Sequence, residues 1–116
     1  MQRLRLALLV LVLSAIAAPG CGDDDVGFEG DLVGGACDTS SDCQYRCEDG
    51  DSFPGGTCTL PCNIDDDCPR GTHCIDRDDG LCLLACDVPA DCREGYDCEG
   101  EENRGTGGDS LVCIRD

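Results

Sequence analysis

Residues 62–82 have the sequence CNIDDDCPRGTHCIDRDDGLC, and residues 86–98 have the sequence CDVPADCREGYDC. Both stretches contain the motif Asp-Cys-x-x-Gly-x-x-Cys, with Gly71 in the first and Gly95 in the second. In both stretches, five residues separate the first cysteine of the stretch from the first cysteine of this motif. The shared spacing indicates a repeated structural unit that is defined by its cysteines.

The unit occurs three times between Cys37 and Cys113. Its cysteine spacing is C-x5-C-x3-C-x10-C in residues 37–58, C-x5-C-x5-C-x7-C in residues 62–82 and C-x5-C-x5-C-x14-C in residues 86–113. Three residues separate adjacent units, and the second cysteine always follows an aspartate, which is Asp42, Asp67 or Asp91. The first unit lacks the motif glycine and is two residues shorter there.

The residues between the cysteines predict turns and short strands. The five-residue gaps are rich in Asp, Asn, Ser, Thr and Pro, which favour turns, and Gly71 and Gly95 are expected to adopt positive φ. Residues 72–75 and 111–114 contain β-branched residues that are typical of short strands. We therefore predict a small disulfide-rich fold of three tandem four-cysteine units with short β-hairpins and little helix. The gaps before the last cysteines, residues 48–57, 75–81 and 99–112, are expected to be exposed loops.

The part of the chain after residue 20 has too few large apolar residues to fold by hydrophobic burial alone. It contains no tryptophan, two phenylalanines and two tyrosines, so disulfide bonds must supply much of its stability. The sequence does not determine which cysteines pair: if the bonds stay within units, 27 arrangements are possible. Our guess among them is first-to-third and second-to-fourth pairing in each unit. The residues predicted to form disulfides are Cys37, Cys43, Cys47, Cys58, Cys62, Cys68, Cys74, Cys82, Cys86, Cys92, Cys98 and Cys113.

Residues 1–20 have the pattern of an export signal. Arg3 and Arg5 precede the apolar run of residues 6–18, which is too short to cross a membrane. Two cleavage sites are possible. Ala15-Ile16-Ala17 fits ordinary signal peptidase, whereas Ala18-Pro19-Gly20-Cys21 resembles the lipobox of bacterial lipoproteins, in which the cysteine carries the lipid. Cys21 is also the thirteenth cysteine, which leaves an even dozen for disulfides. We therefore predict lipidation of Cys21.

The segment that follows is acidic, as is the whole mature chain. Residues 21–36 are predicted to form the lipidated cysteine and a flexible tether, and residues 37–116 the disulfide-stapled module. Without Arg3 and Arg5 the chain retains six basic and 25 acidic side chains, a formal charge of −19. Such a chain repels nucleic acid. The predicted partners are a membrane, through the lipid anchor, and an unidentified protein.

The Asp-Cys-x-x-Gly-x-x-Cys units resemble the cysteine-rich repeats of Dickkopf N-terminal and EB-type extracellular modules. They are also similar to small cysteine-rich lipoproteins of the myxobacterial type. The resemblance covers residues 37–113 and rests on the cysteines, three aspartates and two glycines. It implies an extracellular, protein-binding class of module and assigns no binding residue. Because Gly22 differs from the aspartate that retains many lipoproteins at the inner membrane, resemblance to that class favours the outer membrane or cell surface.

Metal binding and catalysis are less favoured. Structural zinc sites usually contain Cys-x2–4-Cys pairs, and export to an oxidising space opposes free thiolates. The acidic loops 48–51, 65–67 and 76–80 are candidate calcium ligands, but none matches an EF-hand. His73 has no nucleophile motif beside it, and the chain has no Cys-x-x-Cys redox pair. We predict no catalytic residue, no metal site and no cofactor.

The sequence therefore predicts a membrane-anchored, non-enzymatic lipoprotein of the cell envelope with a disulfide-rich interaction or structural module. One alternative is a secreted, knottin-like or inhibitor-like effector, which would lack the lipid. A second alternative is a calcium- or metal-binding surface protein.

Overall fold

The computed structural model describes residues 25–116, which form three antiparallel hairpins, each preceded by a single 3-10 turn. The turns span Ser40–Asp42, Asp65–Asp67 and Pro89–Asp91. The strands are β1 (Arg46–Glu48) with β2 (Thr57–Thr59), β3 (Thr72–Ile75) with β4 (Leu81–Leu84), and β5 (Asp97–Glu102) with β6 (Asp109–Ile114). No α-helix, and hence no helix that could span a bilayer, occurs between residues 25 and 116. The predicted signal peptide and Cys21 lie outside the described residues.

The predicted class of fold is confirmed, and its disulfides repeat one pattern. In each unit the first cysteine bonds to the third and the second to the fourth, in agreement with our guess. The bonds are Cys37–Cys47, Cys43–Cys58, Cys62–Cys74, Cys68–Cys82, Cys86–Cys98 and Cys92–Cys113. The third and fourth cysteines of a unit face each other across its hairpin, as Cys74 and Cys82 do. Each hairpin is therefore held to the preceding turn by two neighbouring bonds.

The motif glycines reverse the chain between the second and third cysteines. Gly71 has φ 86° and Gly95 has φ 93°, which confirms the predicted positive φ. A side chain at Gly71 would meet no atom within 4 Å, so the backbone angle rather than crowding requires glycine there.

The residues that enter each unit pair with the strand that carries its fourth cysteine. Leu60 accepts a hydrogen bond from the Cys82 amide, and Ala85 is bridged to Val112 in β6. In the first unit Gly34 and Gly35 make the equivalent contacts with Cys58, with N···O distances of 2.9 Å. The structural repeat therefore begins one to three residues before the first cysteine of each unit.

The described part of the predicted flexible tether is a docked segment. Val33 is buried, Leu32 packs beside the disulfides of the second unit, and the Gln44 amide donates to the Asp31 carbonyl. A side chain at Gly34 would collide with the Gly27 carbonyl oxygen and with Leu84, so glycine permits this close packing. We call residues 25–36 the entry segment. The prediction of a flexible tether was wrong for these residues because it considered composition and not the pairing of Gly34 and Gly35.

One hydrophobic core joins the three units. It combines Phe53 of the first unit, Ile75, Leu81 and Leu83 of the second, and residues of the third that include Tyr96, Val112 and Ile114. Because each unit contributes only a few apolar side chains, none buries a sizeable core by itself. The units are therefore parts of one domain and not independent beads.

The gaps predicted to be exposed loops combine exposed residues with a few buried structural ones. Phe53, Ile75, Leu81 and Asn103, which lie in these gaps, are all buried. Most of the longest gap, residues 99–112, belongs to β5 and β6, and its tip contacts the second unit through the Arg104 amide and the Cys74 carbonyl. The expectation of exposed loops holds for residues 49–51, 78–79 and 105–109, which are exposed, and was wrong for the buried residues, because these supply contacts between units.

Candidate functional site

The cysteine sulfurs lie in tight clusters because two disulfides stand side by side in each unit. Three Sγ atoms per unit lie within 4.8 Å of one another, in the groups Cys37, Cys43 and Cys47; Cys62, Cys68 and Cys82; Cys86, Cys92 and Cys113. All twelve cysteines of residues 25–116 are disulfide-bonded, so no thiolate is available there as a metal ligand. The clusters therefore stabilise the fold.

The aspartate before the second cysteine has the same role in every unit. One carboxylate oxygen of Asp67 accepts hydrogen bonds from the amides of Asn63 and Ile64, at 2.8 and 3.3 Å. Asp42 and Asp91 accept from the equivalent amides in their units. In the first unit the amides of Asp38 and Thr39 lower the pKa of Asp42. The repeated Asp-Cys pair therefore holds the 3-10 turn and is not a ligand-binding signature.

Asp65 connects three parts of the molecule. Its Oδ1 accepts hydrogen bonds from the Cys74 amide at 2.7 Å and from Asn103 Nδ2 at 3.0 Å, and its Oδ2 lies 3.0 Å from His73 Nδ1. Asn103 belongs to the third unit and is fully buried. Its Oδ1 accepts from the amides of Gly105 and Thr106, which closes the tip of the β5–β6 hairpin.

The electrostatics of Asp65 follow from these contacts. Partial burial acts to raise its pKa, but the hydrogen bonds from Cys74, His73 and Asn103 outweigh it and hold the pKa below the ordinary value of 3.8. The carboxylate therefore remains charged and joins the second unit to the third. His73 is a partner in this junction.

A cleft of about 360 Å³ lies beside His73 and is also lined by Ala85, Cys86, Asp87, Asp91 and Leu111. Cys86 is disulfide-bonded, and none of the other lining residues is a serine, threonine or lysine that could act as a nucleophile. One oxygen of Asp91 is already occupied by backbone amides. The cleft thus offers carboxylates and an apolar wall but no nucleophile–base pair.

Several aspartates in the acidic loops that were considered as calcium ligands have structural partners instead. Asp67 accepts backbone amides, Asp65 holds the junction between units, and Asp76 forms an ion pair with Arg104 at 3.1 Å. Between residues 25 and 116, only the cysteine groups bring three or more potential metal-ligand atoms within 4.8 Å. In the described residues the carboxylates are thus dispersed rather than gathered into an oxygen cage.

Arginines hold the units together, a role that the sequence did not indicate. Arg77 of the second unit lies over the Phe53 ring at 5.7 Å and donates to Ser52 Oγ at 2.8 Å. Arg93 of the third unit lies over the Tyr96 ring at 4.8 Å and donates to the Gly56 carbonyl of the first. These contacts span up to 37 residues of sequence. In the sequence, only the small number of basic residues in an acidic chain drew attention to these arginines.

A few apolar side chains remain at the surface of the described residues. Five large ones are substantially exposed: Phe28, Tyr45, Ile64, Val88 and Leu111. Ile64 and Val88 occupy equivalent positions before the 3-10 turns, whereas Phe28 lies in the entry segment.

Comparison of the chain with protein-family models, with curated proteins and with solved structures gave no match.

Proposed function

We propose that this chain is a lipid-anchored, non-enzymatic protein of the cell envelope whose disulfide-stapled domain serves in protein interaction or in the structure of the envelope. Disulfide parity supports the anchor most directly. The twelve cysteines from Cys37 to Cys113 bond to one another, so no cysteine of this chain remains to pair with Cys21. That cysteine also follows a leader typical of export.

The non-enzymatic part of the proposal has separate support. His73 is engaged by Asp65, and the cleft beside it contains no nucleophile–base pair. The disulfides require an oxidising compartment, which export provides. A rigid domain with a formal mature charge of −19 suits partners with basic surfaces.

The experiment is the intact mass of the protein extracted with detergent from its native membranes, before and after reduction with thiol capping. We expect a mature chain that begins at Cys21 and carries acyl chains, with twelve thiols that appear only on reduction. A Cys21→Ser variant should remain soluble after cell breakage and keep all six disulfides.

A different mass would contradict the proposal and favour one of the alternative functions. A chain that begins at Ala18 without lipid would identify a secreted protein and support the effector alternative. Thiols that are free before reduction would contradict the stapled domain and would direct attention to metal binding.

A further inference from the structure

The entry segment leaves very little chain between the proposed lipid and the folded domain. Only residues 22–24 lie between Cys21 and Asp25, where the described structure begins. Four residue steps span at most about 14 Å even when fully extended. A folded chain of about 90 residues has a radius of gyration near 12 Å and is therefore about 30 Å across. The linker is too short to reach around the domain.

The entry segment is itself fixed to the domain, so it cannot extend the linker. The Gly34 amide donates to the Cys58 carbonyl, and the Cys58 amide donates to Gly35, both at 2.9 Å. The Asp31 side chain accepts from Gln44 Nε2 at 2.8 Å, while Val33 is 1% exposed. Detaching this segment would break these contacts and expose Val33.

The turn that follows the linker in the sequence carries an exposed apolar side chain. Residues 27–30 form a tight turn in which the Gly30 amide donates to the Gly27 carbonyl at 3.0 Å. Phe28 lies in this turn and is 48% exposed. It is seven residues from Cys21 in sequence. Aromatic side chains partition into the interface between the acyl chains and the headgroups.

We infer that the domain rests on the membrane with its entry segment facing the lipid and with Phe28 in the interfacial layer. This inference rests on the proposed lipidation of Cys21 and adds the orientation of the domain. The headgroup layer is about 5–8 Å thick, so a 14 Å linker keeps Asp25 close to the outer edge of that layer. In the sequence, Asp25, Glu29 and Asp31 lie close to Phe28, and anionic headgroups would repel their negative charges. The membrane surface that fits this segment is therefore zwitterionic rather than anionic.

The test uses the absence of tryptophan from the chain. Lipidated Phe28→Trp and Val88→Trp variants are placed in phosphatidylcholine vesicles whose acyl chains are brominated near the headgroup. Val88 is 51% exposed and lies in the third unit, and no described hydrogen bond links it to the entry segment. We expect the bromines to quench emission from the Phe28→Trp variant and to leave that of the Val88→Trp variant unchanged. Equal quenching in both variants, or quenching in neither, would overturn the orientation.

A spacer variant tests whether the short linker sets the orientation. Twenty Gly and Ser residues inserted after Gly22 add a mean reach of about 25 Å. Quenching in the Phe28→Trp background should then fall, and quenching that persists unchanged would contradict the argument from linker length. Vesicle flotation and intact mass are measured on every sample. A protein that does not float would refute the anchor itself, whereas a floating protein without quenching would refute only the orientation.

Discussion

At the scale of single residues, four aspartates have structural partners. Asp42, Asp67 and Asp91 hold the three 3-10 turns, and Asp65 joins the second unit to the third. An acidic composition usually indicates a solvated surface, but here the position of each aspartate relative to a cysteine separates the structural residues from the others. Substitution of neighbouring aspartates should therefore have different consequences.

The first prediction concerns Asp67 and its neighbour Asp66. Asp67→Ala removes the acceptor of two backbone amides and should lower the free energy of unfolding by about 1 kcal/mol. Asp66→Ala is the matched control, because Asp66 is exposed and accepts no hydrogen bond in the described structure. Denaturant unfolding with the disulfides intact measures both variants. Equal destabilisation would contradict the assigned role.

The second prediction concerns the pH dependence of stability at Asp65. Because its folded pKa lies below the ordinary 3.8, the unfolded chain binds the proton first as the pH falls. The stabilisation is complete above the unfolded pKa and is lost as the pH falls through the folded value. Asp65→Asn should therefore be less stable than the parent at neutral pH, and the difference should shrink in acid. Urea unfolding across this range measures it, and a difference independent of pH would contradict the prediction.

At the scale of the elements, the hairpins differ in how far they reach beyond their own unit. The β1–β2 and β3–β4 strands are three and four residues long, whereas β5 and β6 have six residues each. The extra length carries the hairpin tip to the second unit, where the Asp76 amide donates to the Glu102 carbonyl and the Arg104 amide to the Cys74 carbonyl. The long segment between Cys98 and Cys113 therefore forms a hairpin whose tip packs against the second unit.

The third prediction tests this docking. Asn103→Ala removes both acceptor and donor contacts at a buried position and should cost about 1–3 kcal/mol. Hydrogen exchange at the Asp76 and Arg104 amides should accelerate more than exchange within the β1–β2 hairpin. Thr106→Ala provides the control, because Thr106 is exposed and accepts only the local Gly108 amide. Uniform acceleration at all hairpins would indicate global destabilisation and would contradict a local docking role.

The sequence predicted the parts of the fold that are local to one unit. Cysteine spacing and the glycines of the turns act over about 20 residues, so the hairpins and the positive φ angles followed from them, whereas the disulfide pairing was a guess among 27 arrangements. Asn103, Phe53 and Arg77 were not identified, because their partners lie in other units, 25 residues away for Arg77–Ser52 and 38 for Asn103–Asp65. Composition likewise concealed the docking of the entry segment, which depends on the edge of β2.

At the scale of the whole molecule, three similar units form one domain because their variable segments exchange contacts. Phe53 reaches the shared core from the first unit, and the Arg115 amide at the other end of the chain donates to the Ser52 carbonyl. The first and third units are therefore in direct contact. Each disulfide closes a loop of 10–21 residues and contributes about 3 kcal/mol by restricting the unfolded chain.

The fourth prediction follows from the shared core. Oxidised protein should unfold in one cooperative transition, with equal calorimetric and van't Hoff enthalpies. Phe53→Ala should lower the stability of the whole domain by about 3–5 kcal/mol. Tyr45→Ala in the same unit is the control, because Tyr45 is 60% exposed and should change stability little. A separate early transition of the first unit would contradict this view.

The interlaced disulfides also have a consequence for biogenesis. If the chain is exported through a channel, as proposed, and its thiols are oxidised in the order in which they emerge, Cys37 would first be joined to Cys43. The native bonds skip one cysteine in all three units. Bonds formed in that order would have to be exchanged by thiolate attack before the domain is complete. Protein made in an oxidising compartment without a disulfide isomerase should accumulate mispaired forms, which mass mapping of the bonds would detect. With oxidation in that order, maturation of this domain would depend on reshuffling bonds as much as on making them.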